Sequence, residues 1–188
     1  MITEPAAAAK TAGWGAGGGG SKFCELFDTY QPALRRLVAV YVANPADREE
    51  LLQEIAAGIW KSLPNFRGDA SERTWIYRIA HNIAIRSSAQ VRRRNTREAQ
   101  MDAPSDRASD ESSAEEVLLT AERRKVLMKG IRELAVLDRQ LITLHLEGLS
   151  GAEIEEVTGL SQGSIATRLT RIRQGLAKRV QAESMRHE

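Results

Sequence analysis

The chain has 188 residues, 42% of them hydrophobic and 28% charged, with a formal net charge of +2. This is the balance of a soluble globular protein with room for one large or two small domains. It argues against a membrane protein, because no apolar run approaches the roughly 18–20 residues that a span needs. It also argues against a disulfide framework, because Cys24 is the lone cysteine. No secretory leader is read at the N-terminus, so a cytoplasmic location is expected.

Residues 1–21, MITEPAAAAKTAGWGAGGGGS, are rich in Ala and Gly without amphipathic period and read as a disordered head. Residues 22–97 read as a first helical domain. Its first helix carries Leu26, Phe27, Tyr30, Leu34, Leu37, Val38 and Tyr41 at i, i+3/i+4 spacing. Pro32 interrupts it, as a kink or as a helix start. Its second helix opens on Asn44 as N-cap, Pro45 at the first helical position and Asp47 at the positive end of the dipole. Leu51, Leu52, Ile55, Ala56, Ile59 and Leu63 form the buried stripe, and Pro64 ends it. After a short NFRG loop, Asp69 or Ser71 caps a third helix with core positions Ile76, Ile79, Ala80 and Ile83. Residues 98–114 read as a flexible acidic linker. From Glu98 to Glu122 eight acids face one base, Arg107, whereas Arg92, Arg93, Arg94 and Arg97 just before it have no acid among them. Residues 115–182 read as a second helical domain, with stripes Val117, Leu118, Val126, Leu127, Ile131, Leu134 and then Leu141, Ile142, Leu144, Leu146, and residues 183–188 as a tail. No strand-type alternation occurs, and the expected class is all-α, two small helical domains.

Three surfaces stand out. On the second helix, Glu49, Glu50, Gln53 and Glu54 lie opposite the leucine stripe, which suits an ordinary solvated face or an acidic docking surface for a basic partner. On the third helix, Trp75, Arg78, Asn82 and Arg86 align about a quarter turn from the isoleucines. An aromatic stacks on an unpaired base, an arginine holds phosphate and an amide reads a base edge, so this row suits opened or single-stranded DNA, with core packing an equal reading for Trp75 taken alone. Arg92, Arg93 and Arg94 extend the track toward phosphate. His81 has no second ligand at usable spacing, and no metal, cofactor or catalytic residue is expected.

The third surface lies in LSGAEIEEVTGLSQGSIATRLTRIRQGLAKRV. Ser150 and Glu153 make an S-x-x-E capping box, Ile154 and Val157 point inward, Gly159 stops the helix, and Ser161 starts another with Ile165, Leu169, Ile172 and Leu176 buried. That is a helix-turn-helix. Small residues near the start of its second helix (Gly163, Ser164, Thr167) suit approach to base edges, and Arg168, Arg171, Arg173, Lys178 and Arg179 suit phosphates, the plain alternative being a solvated basic helix of a bundle.

The segments DREELLQEIAAGIWKSLPNFRGDASERTWIYRIAHNIA and LEGLSGAEIEEVTGLSQGSIATRLTRIRQGL resemble regions 2 and 4 of bacterial sigma factors of the extracytoplasmic-function (ECF) type, compact members of the sigma-70 family. The resemblance runs from about Phe23 to Val180. It implies a non-enzymatic protein that binds core RNA polymerase, through the β′ clamp helices and the β flap, and directs it to promoter DNA. It implies that Glu49, Glu50, Gln53 and Glu54 dock on polymerase. Asn65, Phe66, Arg67, Gly68 and Asp69, with Trp75, Arg78, Asn82, Arg86 and the arginine run, would open the −10 element. Gly163, Ser164, Ala166, Thr167, Arg168, Thr170, Arg171 and Arg173 would read the −35 duplex. It also implies an anti-sigma factor as a partner. Glu155 departs from the pattern, standing where a small residue is usual, so that it either tilts to solvent or holds the two helices apart. Small side chains at Ala166 and Thr170 leave the −35 base preference open. The alternatives are a stand-alone helix-turn-helix regulator, which would bind duplex DNA without polymerase, and a helical protein-interaction bundle, which would show no promoter preference.

Overall fold

A computed structural model describes the backbone of residues 19–98 and 115–184, and the side chains of 20–88 and 123–182. Among these residues all regular structure is helical: α1 (Gly19–Tyr41), α2 (Pro45–Ser62), a 3-10 turn (Leu63–Asn65), α3 (Glu72–Glu98), α4 (Glu115–Arg132), α5 (Val136–Leu146), α6 (Gly151–Thr158) and α7 (Gln162–Ser184). The head before residue 19, most of the acidic linker and the end of the tail lie outside the described residues.

The local signals act as their chemistry requires. The Asn44 side chain accepts from the Ala46 amide at 3.0 Å, and Pro45 occupies the first position of α2. Of the two candidate caps for α3, Ser71 takes the role: its hydroxyl accepts from the Thr74 amide at 3.1 Å. Pro32 is neither start nor end of a helix; α1 runs through it, and the ring sits on the exposed side. The Ser150–Glu153 capping box is complete, and the two hydrogen bonds from Ser150 hold the Glu153 carboxyl below its ordinary pKa. Gly159 ends α6 at φ 74°, a left-handed geometry that costs glycine no Cβ clash.

Packing follows the stripes. Phe23, Leu26, Leu34, Leu37 and Val38 of α1 meet Leu51, Leu52, Ile55 and Ile59 of α2 and Ile76 and Ala80 of α3. Gly58 lets α3 come close, since a Cβ there would collide with Ile83. In the second half, Ile131, Leu141, Leu144, Ile154, Ile165, Leu169, Ile172 and Leu176 form the core of α4–α7. Leu146 departs from the expected stripe. It is 60% exposed, because α5 ends at that residue and no helix covers it.

The two halves also pack on each other, which periodicity does not foretell. α1 touches α4 and α5, and α3 touches α5 and α6. Arg36 donates from Nε and Nη2 to the two carboxylate oxygens of Glu147, at 2.8 and 2.7 Å. Tyr77 donates its hydroxyl to the same carboxylate at 3.2 Å, and Arg73 donates to the Glu147 carbonyl. Arg132 donates to the Ala39 carbonyl at 3.1 Å, and the Arg139 guanidinium lies 5.5 Å from the centre of the Tyr41 ring. His81 is a core residue. Wholly buried, it pairs through Nδ1 with the Tyr41 hydroxyl at 2.9 Å, and its Nε2 has no hydrogen-bond partner.

Ser150→Ala removes the capping oxygen of α6 and is expected to lower stability by about 1 kcal/mol, read as a shifted urea midpoint at unchanged slope.

Candidate nucleic-acid interface

On α2, Glu50, Gln53 and Glu54 are exposed, while Glu49 accepts from Arg35 at 2.5 Å. They share one side of the helix because α2 spends its opposite side on the leucine and isoleucine core. The result is an open acidic face next to α1.

The loop between α2 and α3 leaves Asn65, Arg67, Gly68 and Asp69 exposed and turns at Gly68, where φ is 79°. Phe66 folds back, its ring centre 4.8 Å from that of Trp75. Trp75 is buried, at 7% exposure, so of its two readings core packing holds and the one in which it offers a ring to an unpaired base is corrected. It shares an azimuth with Asn82, but it lies in the first turn of α3, where the returning loop covers it. The outer face of α3 begins after it: Arg78 is half-buried, Asn82 and Arg86 are exposed, and Arg86 Nε donates to the Asn82 carbonyl at 3.1 Å. That bond ties the guanidinium alongside the asparagine and leaves the Asn82 amide group facing solvent. The backbone of Arg92, Arg93 and Arg94 continues α3, and their side chains lie outside the described residues.

In the helix-turn-helix, α7 buries Ile165, Leu169, Ile172 and Leu176 and exposes Gly163, Ser164, Ala166, Thr167, Thr170, Arg171 and Arg173. Thr167 and Thr170 donate their hydroxyls to the carbonyls of Gly163 and Ala166, both at 2.9 Å. With the proton committed to the helix, each hydroxyl offers acceptor lone pairs outward. Arg168 is half-buried and pairs with Asp138 at 3.0 Å, and Arg171 reaches the second oxygen of Asp138 at 3.5 Å. Asp138, on α5, thus gathers two guanidiniums that stand one turn apart. It was not among the expected site residues, and no local pattern marks it. Glu155 is half-buried, and at the surface its carboxylate accepts from Gln162 Nε2 at 2.9 Å, linking α6 to the start of α7.

Behind α7 runs an apolar groove of about 440 Å³, lined by Leu127, Ile131, Ile142, Leu146, Leu176 and Val180. The exposed Leu146 belongs to it. Among the described residues no helix is long and apolar enough to cross a membrane.

An all-α pair of domains, one with an acidic face beside an amide- and arginine-bearing helix and the other a basic helix-turn-helix, defines a DNA-binding transcription protein. The family models agree: Sigma-70 region 2 matches residues 26–97 and Sigma-70 region 4 matches residues 120–176. The chain is 31% identical over 159 residues to the ECF RNA polymerase sigma-E factor of Escherichia coli K12, covering 81% of this chain and 83% of that protein. It is 28% identical over 159 residues to the RNA polymerase sigma-H factor of Pseudomonas aeruginosa, covering 81% and 82%. Its fold is similar to that of the sigma factor RpoE in complex with the anti-sigma factor NepR from Bartonella quintana, with a TM-score of 0.64 at 19% identity over 85% of this chain and 97% of that one. It is equally similar to CnrH in complex with the cytosolic domain of CnrY, with a TM-score of 0.64 at 20% identity over 95% and 96%. The chain belongs to the sigma-70 family, as an ECF sigma factor, and acts in promoter-specific transcription initiation by RNA polymerase.

A buried Trp75 makes a testable distinction. Trp75→Ala is expected to cost about 3–5 kcal/mol of stability, seen in thermal melts followed by circular dichroism. A tryptophan that served only to stack on DNA would leave the melt unchanged.

Proposed function

We propose that the exposed acidic face of α2 (Glu49, Glu50, Gln53, Glu54) docks on the β′ clamp helices of core polymerase, and that the groove beside Leu146 takes an apolar helix of the β flap. The first domain then captures the −10 element. Asn82 contacts an extruded base, the Asn65–Asp69 loop borders it, and Arg78, Arg86 and the Arg92–Arg94 run hold phosphates. Trp75 acts here as the wall behind Phe66. The second domain reads the −35 duplex with Gly163, Ser164, Ala166, Thr167 and Thr170 toward the bases and Arg168, Arg171 and Arg173 toward the backbone.

The observation that carries this reading is the division of both α3 and α7 into a buried apolar stripe and an exposed stripe of small, amide and arginine side chains. Each helix holds its domain together with one side and leaves the other for nucleic acid. Unstacking and unpairing a base costs a few kcal/mol. Capture of the extruded base and phosphate contacts offset that cost, so no bond is hydrolysed, and we read the chain as a non-enzymatic factor of the cytoplasm. The complexes among its structural neighbours support an anti-sigma factor as a further partner.

Run-off transcription with core polymerase and a genomic promoter library tests the reading. A defined set of transcripts is expected. Tight duplex binding with no polymerase-dependent transcript would favour a stand-alone regulator. Asn82→Ala is expected to impair promoter opening, followed by permanganate reactivity, far more than −35 duplex affinity; equal losses would remove it from the −10 site. Asp138→Asn frees Arg168 and Arg171 from a shared carboxylate. An ion pair this exposed is worth up to about 1 kcal/mol, so discrimination between −35 and scrambled duplexes, read by fluorescence anisotropy, is expected to fall a few-fold.

A further inference from the structure

The two DNA-facing helices sit on one packed body. A folded chain of this length has a radius of gyration of about 16 Å. The −10 and −35 elements lie about 25 base pairs apart, roughly 85 Å at about 3.4 Å per base pair. A body of that size cannot hold both elements at once, so the packing between the halves has to release before a promoter is engaged.

The contacts that hold it converge on two points. The first is Glu147, whose side chain is 9% exposed and takes both Arg36 nitrogens and the Tyr77 hydroxyl. The second is the imidazole of His81. Tyr41 and Tyr77 flank it, with ring centres 5.7 and 6.4 Å away, and each tyrosine also touches the other half: Tyr41 lies under Arg139, and Tyr77 bonds Glu147. Both rings beside His81 thus belong to side chains that join the domains.

We propose that the arrangement seen here is a latched state, in which Glu147 clamps the helix-turn-helix domain onto α1 and α3, and that protonation of His81 releases the latch. This rests on the reading of the chain as a factor that must reach both promoter elements.

The groups around the ring fix the sign. α1 contributes Tyr41, α3 contributes Tyr77, and α5 places the Arg139 cation across the Tyr41 ring. On α6, Glu153 lies within the electrostatic reach of Arg73 on α3. α2 meets the opposite, isoleucine face of α3 at Gly58. Burial raises the pKa of both tyrosines, so they stay protonated and neutral, and no carboxylate faces the imidazole within hydrogen-bonding reach. Burial pushes His81 down to about 3 from 6.5. The latched state therefore holds neutral His81, while an opened state exposes it to water and lets it take a proton near its ordinary pKa. Latching is fully favoured above pH 6.5 and weakens about tenfold per pH unit below it.

The test is energy transfer in the full chain between dyes on Cys24, which is exposed on α1, and on Lys178→Cys, exposed on α7. Efficiency is expected to be high at pH 7.5 and to fall by pH 5.5, with the open-to-latched ratio rising about tenfold, while far-ultraviolet circular dichroism stays constant. His81→Gln keeps an acceptor for the Tyr41 hydroxyl without titrating in this range, and is expected to hold high transfer at both values. Glu147→Gln is expected to lower transfer already at pH 7.5. Transfer that is low throughout, insensitive to pH, equally sensitive in His81→Gln, or lost only together with helicity would each overturn the proposal. Run-off transcription at pH 7.5 separates the two claims: transcripts without the pH response sink the latch alone, and the pH response without transcripts sinks the promoter reading alone.

Discussion

Glu147 ends α5 with a carboxylate almost withdrawn from water, and a charge in that position has to be paired. Its partners come from the other half of the chain, a guanidinium on α1 and a phenol on α3. Such a pair adds little net stability, because desolvation offsets much of the Coulomb gain. What it supplies is direction: two small helical units that would pack in many ways by apolar contact alone are oriented by one bidentate bond and its neighbours. The exposed faces of α2, α3 and α7 are the ones left over once that orientation is set.

α3 carries the heaviest demand. One side, with Ile76, Ala80 and Ile83, packs on α2; a second, with Tyr77 and His81, meets α1 and the second domain; a third, with Arg78, Asn82 and Arg86, faces water. Three environments around one helix leave little slack. The side chains of that third face are held by a backbone that packing on the other two sides fixes in place, the condition that a binding role needs. Asp138 does for the recognition helix what packing does for α3, gathering Arg168 and Arg171 from beneath.

Much of the architecture was legible in short-range patterns. The Asn44 cap, the Ser150–Glu153 box, the left-handed Gly159 and the buried stripes of α1, α2 and α7 follow from chemistry that acts within one or two turns. The failures share one cause. Periodicity says which residues lie on a common face and is silent on what stands opposite. Trp75 lines up with Asn82 by angle, yet the loop brings Phe66 over one and leaves the other in water. Leu146 continues a stripe by spacing but falls where α5 runs out. Glu155 departs from the usual small residue of the helix-turn-helix, and its partner Gln162 lies on the next helix.

The amino-acid sequence by itself determined an all-α chain in two helical halves, the helix-turn-helix, and the family to which both belong, because caps, helical periods and motif spacings are local properties. Tertiary structure alone decided which candidate side chains reach solvent, which acid holds Arg168 and Arg171, and that the halves close on one another through Glu147. Those outcomes depend on residues as far apart as Arg36 and Glu147 meeting across an interface, and no pattern within a few turns of either one encodes that meeting.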